Sequence, residues 1–344
     1  MSAMVTIDDI AREAGVSCTT VSNVILGRSN RVSPETKDNI NRIIRERGYV
    51  PNMSARALVS RTSKVVALIN HLDPKTSGNF MEDPFHTAFI GAIEEALRQG
   101  GYYLMLRTVA NSEDLLAFLR NWNVDGLFMT GLFEHEELHQ TLAGTGKPVV
   151  LVDSYLGDYG GVVNVGLQDY EGALIATRYL LEQNHRRIAF AGPPIRVGGV
   201  VERRLMGYKA ALEEAGVPFD PKIVFEREFS TTGTIELGAL LAGRRDITAL
   251  FATADIMAAG IMSGLQQSGR RVPDDFSVVG FDDINWCRMT MPMLTTVHQD
   301  AGRKGEIAAQ AMMALLEGEA VPERNTILPV RLVVRDSVRA LPPV

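Results

Sequence analysis

Three groups of residues in this chain of 344 amino acids have types and spacing that could do chemistry. His135-Glu136-Glu137-Leu138-His139 is a literal H-E-x-x-H run. On a helix its two histidines would share a face and could hold zinc, with Glu136 as the base of a hydrolase. Near the amino terminus, Ser17, Cys18, Thr19, Thr20, Ser22 and Asn23 make a run of small polar side chains. Such a surface lets a helix sink into the major groove of DNA, where Asn23 could pair with a base edge. Further on, Asp153, Asp255 and Asp282 are carboxylates able to grip vicinal hydroxyls in pairs.

What each group can do depends on the element that carries it. The H-E-x-x-H run follows an expected strand and opens a peripheral helix, with no third ligand in view, so the context opposes zinc chemistry. No G-x-G-x-x-G, G-x-x-x-x-G-K-[ST] or G-x-S-x-G pattern occurs, which removes dinucleotide, P-loop and nucleophile-elbow chemistry. Neither a metal nor a cofactor is therefore expected.

The polar run sits in a helix-turn-helix pattern. Thr6, Asp8 or Asp9 can cap a first helix whose apolar positions are Ile7, Ile10, Ala11 and Ala14. Gly15 permits a tight turn, Val16 can plug the gap, and Ser17 can cap a second helix that turns Val21, Val24 and Ile25 inward. Ser33-Pro34 opens a third helix with an Ile40, Ile43, Ile44 stripe. The overall charge of −6 is unevenly shared: residues 1–64 hold ten Lys/Arg and six Asp/Glu, and the remainder 25 against 35. A basic arm on an acidic body suits phosphate contact without indiscriminate binding.

From Thr6 to Leu58, including Tyr49-Val50-Pro51-Asn52 and Met53-Ser54-Ala55-Arg56-Ala57-Leu58, the segment resembles the DNA-binding headpiece and hinge of the LacI/GalR family of bacterial repressors. The resemblance implies base reading by Cys18, Thr19 and Asn23, and phosphate or backbone contacts from Thr6, Ser17, Thr20, Ser22 and Arg31. It also implies a minor-groove hinge from Asn52 to Leu58, with Ala55 allowing close approach and Leu58 wedged into the central base step.

Beyond Lys64 the pattern changes to apolar strands alternating with amphipathic helices. Strands are expected at Val65–Asn70, Tyr102–Thr108, Asp125–Gly131, Pro148–Asp153 and Val162–Gly166. The alternation resumes with Arg187–Gly192, Val224–Phe229, Ile247–Thr253 and Phe276–Asp283. A strand after Leu294, a helix from about Ala301 to Glu317 and a last strand near Ile327–Arg335 suggest crossings between lobes. The expected fold is α/β: an all-α headpiece (1–50), a hinge (51–63), and a core that resembles the two-lobed periplasmic-binding-protein-like core of the same family. The expected lobes are 64–162 with 294–324, and 163–293 with 325–340.

Ligands of open parallel sheets sit beyond the carboxyl ends of the strands. That rule places Asn70, His71, Thr130, Asp153, Phe229, Asp255 and Asp282 at the mouth of the cleft. The resemblance adds Arg204 and Phe85 and gives weight to Asp153, Phe229 and Asp282. Each residue has an ordinary alternative: an Asp at a strand end is a common helix cap, and a Phe is commonly core. Thr253-Ala254-Asp255 departs from the family's Asn-Asp pair, and Leu72–Asp83 is longer than its usual connection; both changes bear on a hexose assignment.

The resemblance implies a repressor that binds pseudo-palindromic double-stranded operator DNA as a homodimer. Its effector would be a sugar or sugar derivative, or in the alternative a purine or nucleoside; corepression by a partner protein is a further variant. With two cysteines, no apolar signal core and no membrane span, a cytoplasmic protein is expected. No heptad tail precedes Val344, so a dimer rather than a coiled-coil tetramer is expected.

Overall fold

The computed structural model describes residues 5–25, 27, 29, 32–49, 62–72, 80–132, 136–155 and 162–343. The chain divides into two compact units, Met1–Lys64 and Val65–Val344.

In the first unit, α1 (Ile7–Ala14), α2 (Cys18–Ile25) and α3 (Pro34–Arg47) surround a core of Ile10, Ala11, Val21, Ile40 and Ile43. Local chemistry sets each boundary. Thr6 and Asp9 form a reciprocal capping box on α1, which ends on Gly15 in the left-handed conformation. Ser33 caps α3, Pro34 occupies its first turn, and Gly48 closes it.

The second unit holds two six-stranded sheets. The first contains β1 (Val65–His71), β2 (Tyr103–Val109), β3 (Gly126–Thr130), β4 (Val149–Val152), β5 (Val163–Leu167) and β11 (Asn325–Leu328), ordered β11-β5-β4-β3-β1-β2 and parallel throughout. The second contains β6 (Ile188–Gly192), β7 (Val224–Glu226), β8 (Ala249–Ala252), β9 (Ser277–Asp282), β10 (Thr295–His298) and β12 (Arg331–Val333), ordered β12-β10-β9-β8-β6-β7. Only β12 runs antiparallel, against β10.

Continuous apolar strands follow from burial on both faces. In the first sheet Val66, Leu68, Phe128, Val150 and Val152 turn to one face, and Ala67, Ile69, Leu127, Met129, Val149 and Leu151 to the other. The helices that cover the sheets are α4 (Pro84–Gln99), α5 (Ser112–Asn121), α6 (Glu136–Gly144), α7 (Asp169–Glu182), α8 (Val200–Glu214), α9 (Thr231–Gly243), α10 (Asp255–Gln267) and α11 (Ala301–Glu317).

The chain passes between sheets three times: after β5, after β10, and between β11 and β12. The lobe limits drawn from sequence are thereby corrected by one strand each. Residues 163–167 pair with β4 in the first sheet, 295–298 with β9 in the second, and 325–328 with β5 in the first. The single last strand expected near Ile327–Arg335 is two strands, separated by Pro329-Val330, because Pro cannot continue a ladder. The strand expected over Val224–Phe229 ends at Glu226, which frees Phe229 from the sheet.

Helices α9 and α10 meet backbone to backbone. A Cβ on Gly264 would lie 2.0 Å from the Ile235 carbonyl oxygen, and one on Gly238 would lie 2.2 Å from that of Ile261. Gly264→Ala should lower the unfolding free energy by about 1–3 kcal/mol through overpacking, read by urea denaturation; unchanged stability would contradict so close a crossing.

Candidate functional site

One cavity of about 480 Å³ opens between the carboxyl ends of the two sheets. Asn70, Thr130 and Asp153 enter it from the ends of β1, β3 and β4; Thr253, Ala254 and Asp282 enter it from β8 and β9. Its apolar walls include Phe80, Phe85, Phe229 and Trp286. Asp83 caps α4 by accepting the Phe85 N–H at 3.0 Å, which fixes that aromatic in the first turn.

The backbone at the two cavity carboxylates is unusual. Asp153 has φ 51° and Asp282 φ 121°, conformations a non-glycine residue holds only when its surroundings require it. Neither residue is a helix cap here; both carboxylates are directed into a polar chain. Lys304, fully buried on α11, donates to both oxygens of Asp153 at 2.8 and 2.9 Å and to Gln299 Oε1 at 3.0 Å. Gln299 in turn donates from Nε2 to Asp282 Oδ1 at 2.5 Å. Arg204 lies 3.9 Å from that same oxygen, donates from Nε to Asp169 Oδ1 at 2.7 Å, and donates from Nη1 to the Thr253 carbonyl. Its guanidinium also rests 3.5 Å above the centre of the Phe281 ring. Tyr155 closes the chain by donating its hydroxyl to Asp169.

Three carboxylates in this chain face two cations, so the cations cannot compensate all three if each is ionised. Burial pushes the Asp153 carboxyl up against the pull of Lys304, and pushes Asp282 well above the ordinary carboxylate range against the pull of Arg204. Such a site welcomes a neutral ligand that donates hydrogen bonds, and opposes an anion. It also offers two buried polar atoms with no hydrogen-bond partner among the described residues, Asn70 Nδ2 and Thr253 Oγ1, while His86 Nδ1, which likewise makes no hydrogen bond, lies 3.6 Å from Asp83 Oδ2. Asn70 is preorganised, since its Oδ1 accepts from Thr130 at 2.8 Å across the β1–β3 register pair and so turns its amide nitrogen outward.

Of the sequence-derived candidates, Asn70, Phe85, Thr130, Asp153, Arg204, Phe229 and Asp282 line the cavity together. His71 and Asp255 do not. His71 follows Asn70 and, by the period of a strand, points to the opposite side, where its ring nitrogens lie 3.0 Å from the Gly131 carbonyl and 3.2 Å from that of Ala110. Asp255 turns under β9, where Gly280 leaves room, and accepts from the Ile284 N–H, the Cys287 thiol and the Thr296 hydroxyl. Its burial raises its pKa to about 6. The neighbouring Arg203 stacks 5.2 Å from the Tyr155 ring centre rather than joining the chain. Lys304, Gln299, Asp169, His86 and Trp286 were not anticipated. Lys304 was findable: it precedes the buried Ala308 by one helical turn, and a lysine on a buried stripe requires an acid partner.

In the first unit, the exposed residues at the start of α2 form the second candidate site. Ser17 caps α2, accepting the Thr20 N–H at 3.2 Å. Cys18 donates its thiol to Asp8 Oδ1 at 2.7 Å, while Thr19 stands exposed and Asn23 half-exposed. Thr6, named as a backbone contact, is engaged as the cap of α1. Arg31, Asn52, Ala55 and Leu58 lie outside the described residues. So does His135; Glu136 and His139 fall in α6 with their side chains undescribed. Among the described residues no cluster of His, Cys, Asp and Glu could hold a metal, and no helix is long and apolar enough to cross a membrane.

Residues 6–52 match the family model of bacterial regulatory proteins, lacI family, and residues 177–338 that of a periplasmic binding protein-like domain. The HTH-type transcriptional regulator CelR of Thermobifida fusca is 35% identical, with 96% of this chain and 98% of that protein aligned. This chain belongs to the lacI family of bacterial regulatory proteins. Another relative of this lacI-family chain, the HTH-type transcriptional repressor PurR of Mannheimia succiniciproducens, is 32% identical over 98% of this chain and all of that one. Among solved structures, a transcriptional regulator CelR-cellobiose complex matches with a TM-score of 0.70 and 32% identity, covering 97% of this chain and 99% of that one. A lac repressor dimer bound to operator and an anti-inducer matches with a TM-score of 0.81 and 26% identity, covering 98% and 100%. The lacI-family fold thus accounts for both units: a helix-turn-helix reader and a two-sheet core with its cavity.

Removing Lys304 should expose how the cavity carboxylates are held. Lys304→Met leaves Asp153 buried and uncompensated and should cost about 3–5 kcal/mol, while Lys304→Met with Asp153→Asn should recover most of it. Urea denaturation of the ligand-free protein at fixed concentration reads both; equal losses in the single and double variants would contradict the pairing.

Proposed function

We propose that this lacI-family regulator is a repressor whose hold on operator DNA is set by a small, neutral, hydroxyl-rich ligand, a sugar or sugar derivative, in the cavity between its two sheets. The observation that carries this reading is the pair of left-handed carboxylates, Asp153 on one sheet and Asp282 on the other, facing one cavity with aromatic walls. Vicinal hydroxyls donate to carboxylates, Asn70 Nδ2 and Thr253 Oγ1 complete the pairing, and aromatic faces cover the C–H surface of a pyranose. The volume lies within the ordinary range for ligand cavities, and a related regulator is known in complex with cellobiose, which favours a saccharide of about disaccharide size.

Asn70, Phe85, Thr130, Asp153, Phe229 and Asp282 would contact the ligand, with Arg204 holding Asp282. Cys18, Thr19 and Asn23 would read bases, with Ser17, Thr20, Ser22 and Arg31 near the phosphates and Asn52, Ala55 and Leu58 in the minor groove. The operator-bound dimer of the related lac repressor supports a homodimer here, which would call for a pseudo-palindromic operator. The protein would work in the cytoplasm and catalyse no reaction, so His135, Glu136 and His139 have no chemical role in it. Ligand binding acts by population shift: it must favour one lobe arrangement over another to change the grip on DNA.

Fluorescence anisotropy on a selected operator, titrated with mono- and disaccharides and with purines and nucleosides, tests this. A saccharide should change operator affinity, and Asp282→Asn should weaken that response about tenfold or more while ligand-free operator binding persists. Response to a purine and to no saccharide would overturn the reading in favour of the purine-responsive alternative.

A further inference from the structure

Under the proposed function, on which this inference rests, Cys18 occupies a base-reading position; it is an odd residue there, because a thiol is a weak hydrogen-bonding group. The structure places Asp8 against it. The thiol donates to Asp8 Oδ1 at 2.7 Å, and among the described residues Oδ2 has no hydrogen-bond partner and the carboxylate no ion-pair partner. The two residues come from different helices, α1 and α2, so the contact brings a carboxylate of the first helix onto the reading end of the second.

An acid in the first turn of a helix is ordinarily explained by the helix dipole or a cap. Asp9 already provides the cap: it accepts the Thr6 N–H at 3.0 Å and completes the box. Asp8 is exposed instead, in a segment where ten basic residues outnumber six acidic ones. A free carboxylate at a surface that must approach phosphates weakens binding to every DNA sequence alike. It can favour a sequence only by meeting a hydrogen-bond donor on a base edge.

We infer that Asp8, steadied by Cys18, is a specificity-determining residue that reads an exocyclic amino group in the major groove, with cytosine N4 as its preferred partner. Major-groove donors are confined to the amino groups of cytosine and adenine, and a carboxylate is the side chain suited to cytosine N4. Guanine and thymine present acceptors there, which a carboxylate repels. The same contact raises the pKa of the Cys18 thiol, keeping it a protonated donor that holds one carboxylate oxygen and leaves the other for the base. Cys18 is in this sense a positioning residue.

The test is sequence selection from a randomised duplex pool with the full-length protein, followed by affinities for single-base operator variants. The wild-type protein should enrich cytosine at one symmetry-related pair of positions, with about tenfold discrimination. Asp8→Ala should lose that preference. Asp8→Asn should move it toward adenine, which an amide reads in pairs at N6 and N7. Cys18→Ala should weaken it partly. Variants that only scale affinity equally for all sequences would overturn the assignment. Failure of the wild-type protein to enrich any sequence would overturn the reading face itself, which is a different result.

Discussion

The core depends on how two buried cations, Lys304 and Arg204, are shared among three buried carboxylates. A lysine with no exposed surface is tolerated only when its charge and all three donors are met, and Asp153 and Gln299 meet them. Gln299 lies on the crossing that follows β10, so its link to Asp282 carries the chain from the first sheet to the second. Tyr155, in the segment after β4, returns the connection to Asp169 at the start of α7. The two sheets are therefore tied by polar groups at the place where a ligand must enter.

That arrangement explains why the site is strained and how, in the proposed function, it would respond to a ligand. Asp153 and Asp282 sit in left-handed backbone at strand ends, a conformation held in place by the partners their carboxylates find. In the proposed function, a ligand that offers hydroxyls would compete with Lys304, Gln299 and Arg204 for the same oxygens. Packed interfaces of this kind respond by changing between discrete arrangements rather than by gradual deformation. The excess of carboxyls over cations in the chain also carries chemical information, since carboxyls accept hydrogen bonds from hydroxyls and an anionic ligand would find no cation left unpaired in that chain.

Much of this was legible in the sequence, for identifiable reasons. The capping residues Thr6, Ser17 and Ser33 and the glycines at Gly15 and Gly48 mark the headpiece helices directly, and α11 was expected at about the limits it has. The strand-end rule found Asn70, Thr130, Asp153 and Asp282 but carried His71 and Asp255 with them. Adjacent residues of a strand face opposite ways, so Asn70 and His71 could not both enter the cavity. Asp255 was misplaced because a helix's first residue can turn its side chain back beneath the sheet. The lobe limits failed at the crossings: pattern shows a strand, but hydrogen-bond pairing decides its sheet, and pairing is long-range. Lys304 and Gln299 were missed for a related reason, as their partners lie far away in sequence.

The central claim is that ligand occupancy of the cavity and operator occupancy of the headpieces are thermodynamically linked. Calorimetric titration of the activating saccharide into the free protein and into its operator complex measures that linkage most directly. The account predicts affinities that differ by about 5- to 150-fold, the usual range of such coupling, and by the same factor as the ligand changes operator affinity. Equal ligand affinities for the free and operator-bound protein would contradict it.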